Sequence, residues 1–219
     1  MSKYVRVLTT AWALALLCDA LVQGDIVQHY DTGSGWTNAL LAPGIGADYI
    51  ALAGNSGMSQ QFFAAPATGG VEQHFQDNSG WRKAVLPQAQ GVQYVALAQN
   101  CGMSQQFFAA PATGGIEQHF EDSLGWRKAT LASTRKYVAL ASNSGSSQSL
   151  FALRDDGAVI QFWEDLAGWR SANIASNLLY VALCENDGLP FQFFAAIPEP
   201  AAMSLLALGG LALIARKHR

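Results

Sequence analysis

Two stretches of this chain repeat a set of side chains that could hold a polar ligand. Glu72, His74, Trp81 and Arg82 are echoed 45 residues later by Glu117, His119, Trp126 and Arg127. Carboxylate and guanidinium groups exchange directional hydrogen bonds with hydroxyls, and an indole adds a flat apolar face. Those are the ingredients of sugar recognition. A structural role suits the same residues: the tryptophans can plug the outer core of a sheet, and Arg82 with Lys83 can guard a strand edge. Elsewhere the set is incomplete. Val27 and Thr37 replace Glu and Arg in the first copy, and Ile160 and Phe162 replace Glu and His in the last. Two binding sites are therefore expected rather than four.

Other chemistry is poorly served. His29, His74 and His119 share one position in successive copies, which suggests a three-histidine metal site. Ligand distances of about 2 Å cannot be met from three separate copies spread around a rim, so no metal is expected. Glu72 and Glu117 are barred from acting as an acid/base pair by the same separation. No nucleophile elbow, phosphate loop or His-Glu-x-x-His appears. The chain reads as a non-enzyme without a cofactor.

The elements that must position these residues come from a repeat. Trp36, Trp81, Trp126 and Trp169 recur at steps of 45, 45 and 43 residues. Tyr49, Tyr94, Tyr137 and Tyr180 head the stretches YIAL, YVAL, YVAL and YVAL, and Phe63, Phe108, Phe151 and Phe194 each follow fourteen residues later. Such a period marks a repeat architecture. Each copy reads as four short strands, for example 94–98, 105–110, 116–121 and 126–131, bounded by Asn, Asp, Pro and Gly turns. The third strand alternates, with Val71, Gln73 and Phe75 on one face and Glu72 and His74 on the other.

The phase of the repeat selects the fold. After residue 24 the chain opens on the third and fourth strands (25–30 and 36–41) and ends on the first and second (180–184 and 192–196). Complementary halves make no sense in a linear stack, whose ends need caps. They suit a ring in which the two halves pair and remove exposed edges. The fold class predicted is all-β: a four-bladed β-propeller of four ~45-residue repeats closed by N- and C-terminal half-units. A larger ring made by two chains uses the same logic.

Both ends read as addresses. Residues 1–24 carry Lys3 and Arg6, then an apolar run, then a polar stretch ending at Gly24: the layout of a secretory signal peptide, with a signal helix. Leu17 is too bulky to precede a lipid-attachment Cys18. Residues 201–215 are uncharged and are followed by Arg216, Lys217, His218 and Arg219. As a helix they span roughly 22 Å, short of the roughly 30 Å hydrocarbon core, with snorkelling of the basic ends making up part of the gap. The basic cluster stays cytoplasmic by the positive-inside rule. The repeat domain is then 25–197 and the tail 198–219. Residues 25–200 hold eight Lys or Arg against fifteen Asp or Glu, a balance of −7 that excludes nucleic acid as a partner. Export permits a Cys101–Cys184 disulfide, which geometry decides.

The tail resembles the PEP-CTERM sorting signal of Gram-negative bacteria. Pro198, Glu199 and Pro200 supply the tripeptide, 201–215 the hydrophobic helix, and Arg216, Lys217 and Arg219 the basic end, in the family's order. The resemblance implies an exosortase in the inner membrane as partner, removal of the helix and delivery to the cell surface, often alongside exopolysaccharide. The body is similar, at the level of pattern, to propeller lectins, through stretches such as SLFALRDDG (149–157), VIQFWED (159–165) and Gly168-Trp169. That likeness implies glycan binding. The expectation is an exported surface binding module for carbohydrate or exopolysaccharide, strengthened by repeated weak sites. The alternatives are a purely structural surface protein and, less favoured, a polysaccharide hydrolase with its site in the central channel.

Overall fold

The computed structural model describes residues 26–41, 47–176 and 180–197. The expected signal helix and tail helix lie outside these residues. Within them the chain is all-β apart from one 3-10 turn at Pro87–Ala89. No helix among the described residues is long and apolar enough to cross a membrane.

Three four-stranded antiparallel sheets carry the three full repeats. Unit 1 comprises β3 (Tyr49–Gly54), β4 (Gln61–Pro66), β5 (Glu72–Asp77) and β6 (Gly80–Val85). Unit 2 comprises β7 (Tyr94–Gln99), β8 (Gln106–Pro111), β9 (Ile116–Asp122) and β10 (Gly125–Ala132). Unit 3 comprises β11 (Tyr137–Ser142), β12 (Ser149–Arg154), β13 (Val159–Asp165) and β14 (Gly168–Ala175). A leading hairpin, β1 (Val27–Asp31) with β2 (Trp36–Leu40), and a trailing hairpin, β15 (Ala182–Glu185) with β16 (Phe193–Ala196), stand as separate two-stranded sheets. Strands within a unit follow in chain order because each is joined to the next by a short Gly, Asn or Asp turn. Gly115 shows why glycine is needed at one of them. Its φ is +95°, and a Cβ there would sit 2.5 Å from the Ala132 carbonyl oxygen.

Apolar side chains lock neighbouring units face to face. The Phe63 ring of unit 1 lies 4.4 Å from that of Phe107 in unit 2, and Phe151 of unit 3 lies 4.8 Å from Phe193. Phe108 and Leu150 share the core between units 2 and 3. Amide side chains stitch the same seams. Asn55 Oδ1 receives the Gln105 backbone N–H (2.7 Å), Asn100 that of Gln148 (2.8 Å) and Asn143 that of Phe191 (2.7 Å). The three donating residues, Gln105, Gln148 and Phe191, have φ between 54° and 61°, an uncommon conformation for residues other than glycine. One fixed acceptor per seam holds each of them there. A second bond repeats alongside: the N–H of Gly102, Gly145 and Gly188 donates to Ser56 Oγ, Cys101 Sγ and Ser144 Oγ respectively.

The first strands of the units converge. Leu52–Gly54, Leu97–Gln99, Leu140–Ser142 and Leu183–Glu185 line one cavity of about 340 Å³. Gln99 Nε2 donates across it to Glu185 Oε1 at 2.8 Å. Cys184 lies on its wall, and both Cys101 and Cys184 are free thiols, so the disulfide weighed from sequence is not formed.

The two hairpins depart from the expected zipper: β1 and β16 are not paired. Each is held by side chains of the unit beside it instead. Ile26 and Leu41 pack on Ala64, Phe62 and Trp81 of unit 1, and Gln28 Nε2 donates to Gln60 Oε1 at 3.2 Å. On the other side Leu183 and Phe193 pack on unit 3. Apolar surface stays open in consequence. Phe194 is 61 % exposed where its equivalents Phe63 and Phe108 are 0 %, and Trp36 is 78 % exposed.

Candidate functional site

The repeated residues meet on one face of units 1 and 2, but not in the grouping expected. Glu72 lies at the centre of the first cluster. Its Oε2 accepts from the Tyr49 hydroxyl at 2.6 Å and lies 3.2 Å from His74 Nε2, while its Oε1 accepts from Lys83 Nζ at 2.9 Å. The second cluster copies it. Glu117 is met by Tyr94 at 2.7 Å, His119 at 3.1 Å and Lys128 at 2.9 Å. Register explains the grouping: His74 stands opposite Lys83 and Phe62, and His119 opposite Lys128 and Phe107, so all share one face of the sheet.

Arg82 and Arg127 do not join these clusters. One position along from Trp81 and Trp126, they point to the opposite face. Arg82 Nε pairs instead with Asp77 at 2.8 Å, and Arg127 with Asp122 at 3.2 Å, across their own exposed hairpin turns. Trp81 and Trp126 share the face of the glutamates, yet are turned into packing. Trp81 lies 5.7 Å from Phe62, and Trp126 meets Phe63 of the preceding unit edge-on at 5.6 Å. Trp169 meets Phe108 the same way at 5.8 Å.

The histidines are core residues in two units. His74 and His119 are buried and stack on Phe62 and Phe107, each at 4.8 Å and nearly parallel. Their Nδ1 atoms have no hydrogen-bond partner. His29 is exposed on β1. In unit 3 Ile160 and Phe162 stand where Glu and His stand elsewhere, and Tyr137 meets Phe162 edge-on at 5.9 Å. An all-apolar version thus fills the same space. Among the described residues no group of three or more His, Cys, Asp or Glu could hold a metal ion.

Charge in the clusters follows from these contacts. Burial raises the Glu117 carboxyl, but hydrogen bonds from His119, Lys128 and Tyr94 outweigh it and hold the group at about 2. Glu72 is lowered in the same way: burial opposes, and Tyr49, Lys83 and His74 prevail. Burial lowers His74, against the pull of Glu72. Tyr49 and Tyr94 are pushed well above the usual phenol range, first by burial and then by their carboxylate partners.

Sequence reasoning missed the tyrosines and lysines of the clusters. Their signal was present, since Tyr49 and Tyr94 head equivalent strands and Lys83 and Lys128 follow each arginine. It missed the seam amides as well, whose signal was a glutamine at 60, 105 and 148.

Comparison with known proteins bears on the tail. Residues 196–219 match the PEP-CTERM protein-sorting motif. This chain is thus an exported protein of the exosortase-sorted class, processed at the membrane and destined for the cell surface. No curated protein matches it. Among solved structures it is similar to apo AztD from Citrobacter koseri, at 17 % identity and a TM-score of 0.44, over 66 % of this chain and 39 % of that one. A second AztD structure from the same organism gives 18 % identity and a TM-score of 0.41, over 64 % of this chain and 36 % of that one. The chain therefore spans about two fifths of the AztD chain.

Proposed function

We propose that this exported, surface-sorted protein is a four-bladed β-propeller, closed by β16 pairing with β1, and that it acts as a non-catalytic module binding neutral glycans. The sorting motif carries the surface assignment. Support for the ring comes from the seams. Gln28 stands to Gln60 as Gln73 stands to Gln105, whose bond is 2.8 Å, so the leading hairpin occupies the place of a preceding unit. Phe191 stands to Asn143 as Gln148 stands to Asn100, so the trailing hairpin occupies the place of a following unit. In the proposed ring the two half-units together complete the fourth blade.

Support for binding rather than catalysis comes from the carboxylates. Glu72 and Glu117 each face three donors and stay ionised, which leaves no proton to give and commits most of their lone pairs to buried partners rather than to water. The body's charge of −7 disfavours acidic polysaccharides and leaves neutral ones. A second reading, an architectural surface protein without a ligand, is favoured by one observation: Trp126 and Trp169 serve the seams. An array of neutral and acidic oligosaccharides probed with the full chain in detergent separates the two. Selective retention on neutral glycans supports the module; an array blank throughout supports the scaffold.

A further inference from the structure

The seam between unit 3 and the trailing hairpin breaks the pattern of the other two. At the first seam, Gln73 Nε2 donates to Gln61 Oε1 (3.2 Å) and to Gln105 Oε1 (2.8 Å). At the second, Gln118 Nε2 donates to Gln106 Oε1 (3.1 Å) and Gln148 Oε1 (2.7 Å). Gln161 holds the same position at the third seam. Both its partners have changed: Ser149 replaces the first glutamine and Phe191 the second. Ser149 turns away, accepting from Asn143 Nδ2 at 3.0 Å and donating to the Phe162 carbonyl at 3.0 Å. The Gln161 amide, half-buried, keeps neither bond that its equivalents make. Two further changes coincide here. Ser146 stands in place of Met58 and Met103, and Trp163 in place of Phe75 and Phe120.

A cleft of about 390 Å³ opens at this point, lined by Gln161, Trp163, Phe191, Gln148, Ser146 and Glu164 among others. That volume lies at the lower end of small-molecule sites. Its lining is amphipathic in a particular way. Trp163 and Phe191 offer aromatic surface, Gln161 offers both a donor and an acceptor, and Gln148 offers an amide N–H₂, because its oxygen is already taken by Asn100 and Gln118. A carboxylate, Glu164, stands exposed at the edge. One ring whose C–H face is apolar and whose rim carries hydroxyls matches all of these at once.

We infer that the cleft between unit 3 and the trailing hairpin is a binding site for one pyranose residue of a neutral glycan, with Trp163 beneath the ring and the Gln161 amide on its hydroxyls. The inference rests on the glycan-binding reading above and names a different site from the repeated glutamate clusters. The same array, followed by titration of its best neutral tri- to hexasaccharide, tests it. Gln161→Ala and Trp163→Ala should each weaken binding about tenfold or more, the loss of one amide pair or one aromatic face. A third variant, Ser146→Met with Ser149→Gln and Phe191→Gln, rebuilds the ordinary seam and fills the cleft. It should melt no lower than the parent and should lose binding. Binding that survives the rebuilt seam unchanged overturns this site while the glycan reading stands. An array blank with the parent chain overturns both.

Discussion

Glu117 shows how much a single side chain holds in place. Its carboxyl sits at about 2 against an ordinary 4.5, so the folded state gives up that proton far more readily than the unfolded chain does. The associated stability is complete above pH 4.5 and drains away as pH falls toward about 2. His74 acts in the same direction from a higher start. Burial holds its imidazole below 6.5, so the unfolded chain binds the proton first as acid is added, and loss begins below that pH. Melting temperature should therefore be flat between about pH 7 and 9, decline steadily through the acid range, and fall again above about pH 10, where the unfolded chain loses the phenol protons that Tyr49 and Tyr94 keep. Glu117→Gln should cost on the order of 2 kcal/mol in urea unfolding at pH 7 and almost nothing near pH 2. An equal cost at both pH values would remove the cluster from the account of stability. The sequence made the glutamate and histidine visible because they sit two apart on one strand. It hid Tyr94 and Lys128 because those arrive from other strands, 23 and 11 residues away in the chain.

Elements were legible where the signal was local. Trp, Tyr and Phe spacing and the glycine turns placed the four strands of each unit to within a residue or two, as β7 to β10 show against 94–98, 105–110, 116–121 and 126–131. The seams were not legible, since their bonds join residues 48 or 50 apart, and a left-handed backbone at Gln105 or Gln148 carries no glycine to announce it. Asn100 tests what a seam is worth. It is fully buried, accepts from Gln148 N and donates to Gln106 Oε1 (2.9 Å) and Gln148 Oε1 (2.7 Å). Asn100→Ala leaves the Gln148 N–H without its acceptor and should cost about 2–4 kcal/mol. Chemical denaturation measures it, and a cost below about 0.5 kcal/mol, the range of an ordinary surface change, would show that the seams rest on apolar packing alone. Gly115→Ala probes the turns in the same experiment. Strained φ and contact with the Ala132 carbonyl predict destabilisation of at least about 1–3 kcal/mol.

At the scale of the whole molecule, complementary half-units in the sequence pointed to a ring; the structure has the all-β repeat, with three four-stranded antiparallel sheets and two separate hairpins, and the ring itself remains a proposal. The pairing of the two hairpins, expected from the sequence, is not made in the structure, where each packs on the unit beside it. The proposed closure makes a sharp demand on one residue. A cavity of about 340 Å³ lies between the leading hairpin and unit 1, walled by Ile26, Leu41, Phe62 and Trp81. At the first seam the equivalent faces receive Phe63, which lies 4.4 Å from Phe107 and 5.6 Å from Trp126. Phe194 is the matching residue of the trailing hairpin, and register carried over from β4 and β5 sets it opposite Gln28. In the closed ring Phe194→Asp should destabilise by about 3 kcal/mol or more, as burial of a charge in a core demands. In an open arc the same change falls on a 61 % exposed side chain and should stay within about 0.5 kcal/mol. Phe63→Asp, buried in either case, calibrates the scale. Hydrogen exchange adds an independent reading, because pairing with β1 would protect backbone N–H groups of 193–196 that an edge strand leaves open. A neutral Phe194→Asp together with fast exchange at those residues would establish the open arc as the working form.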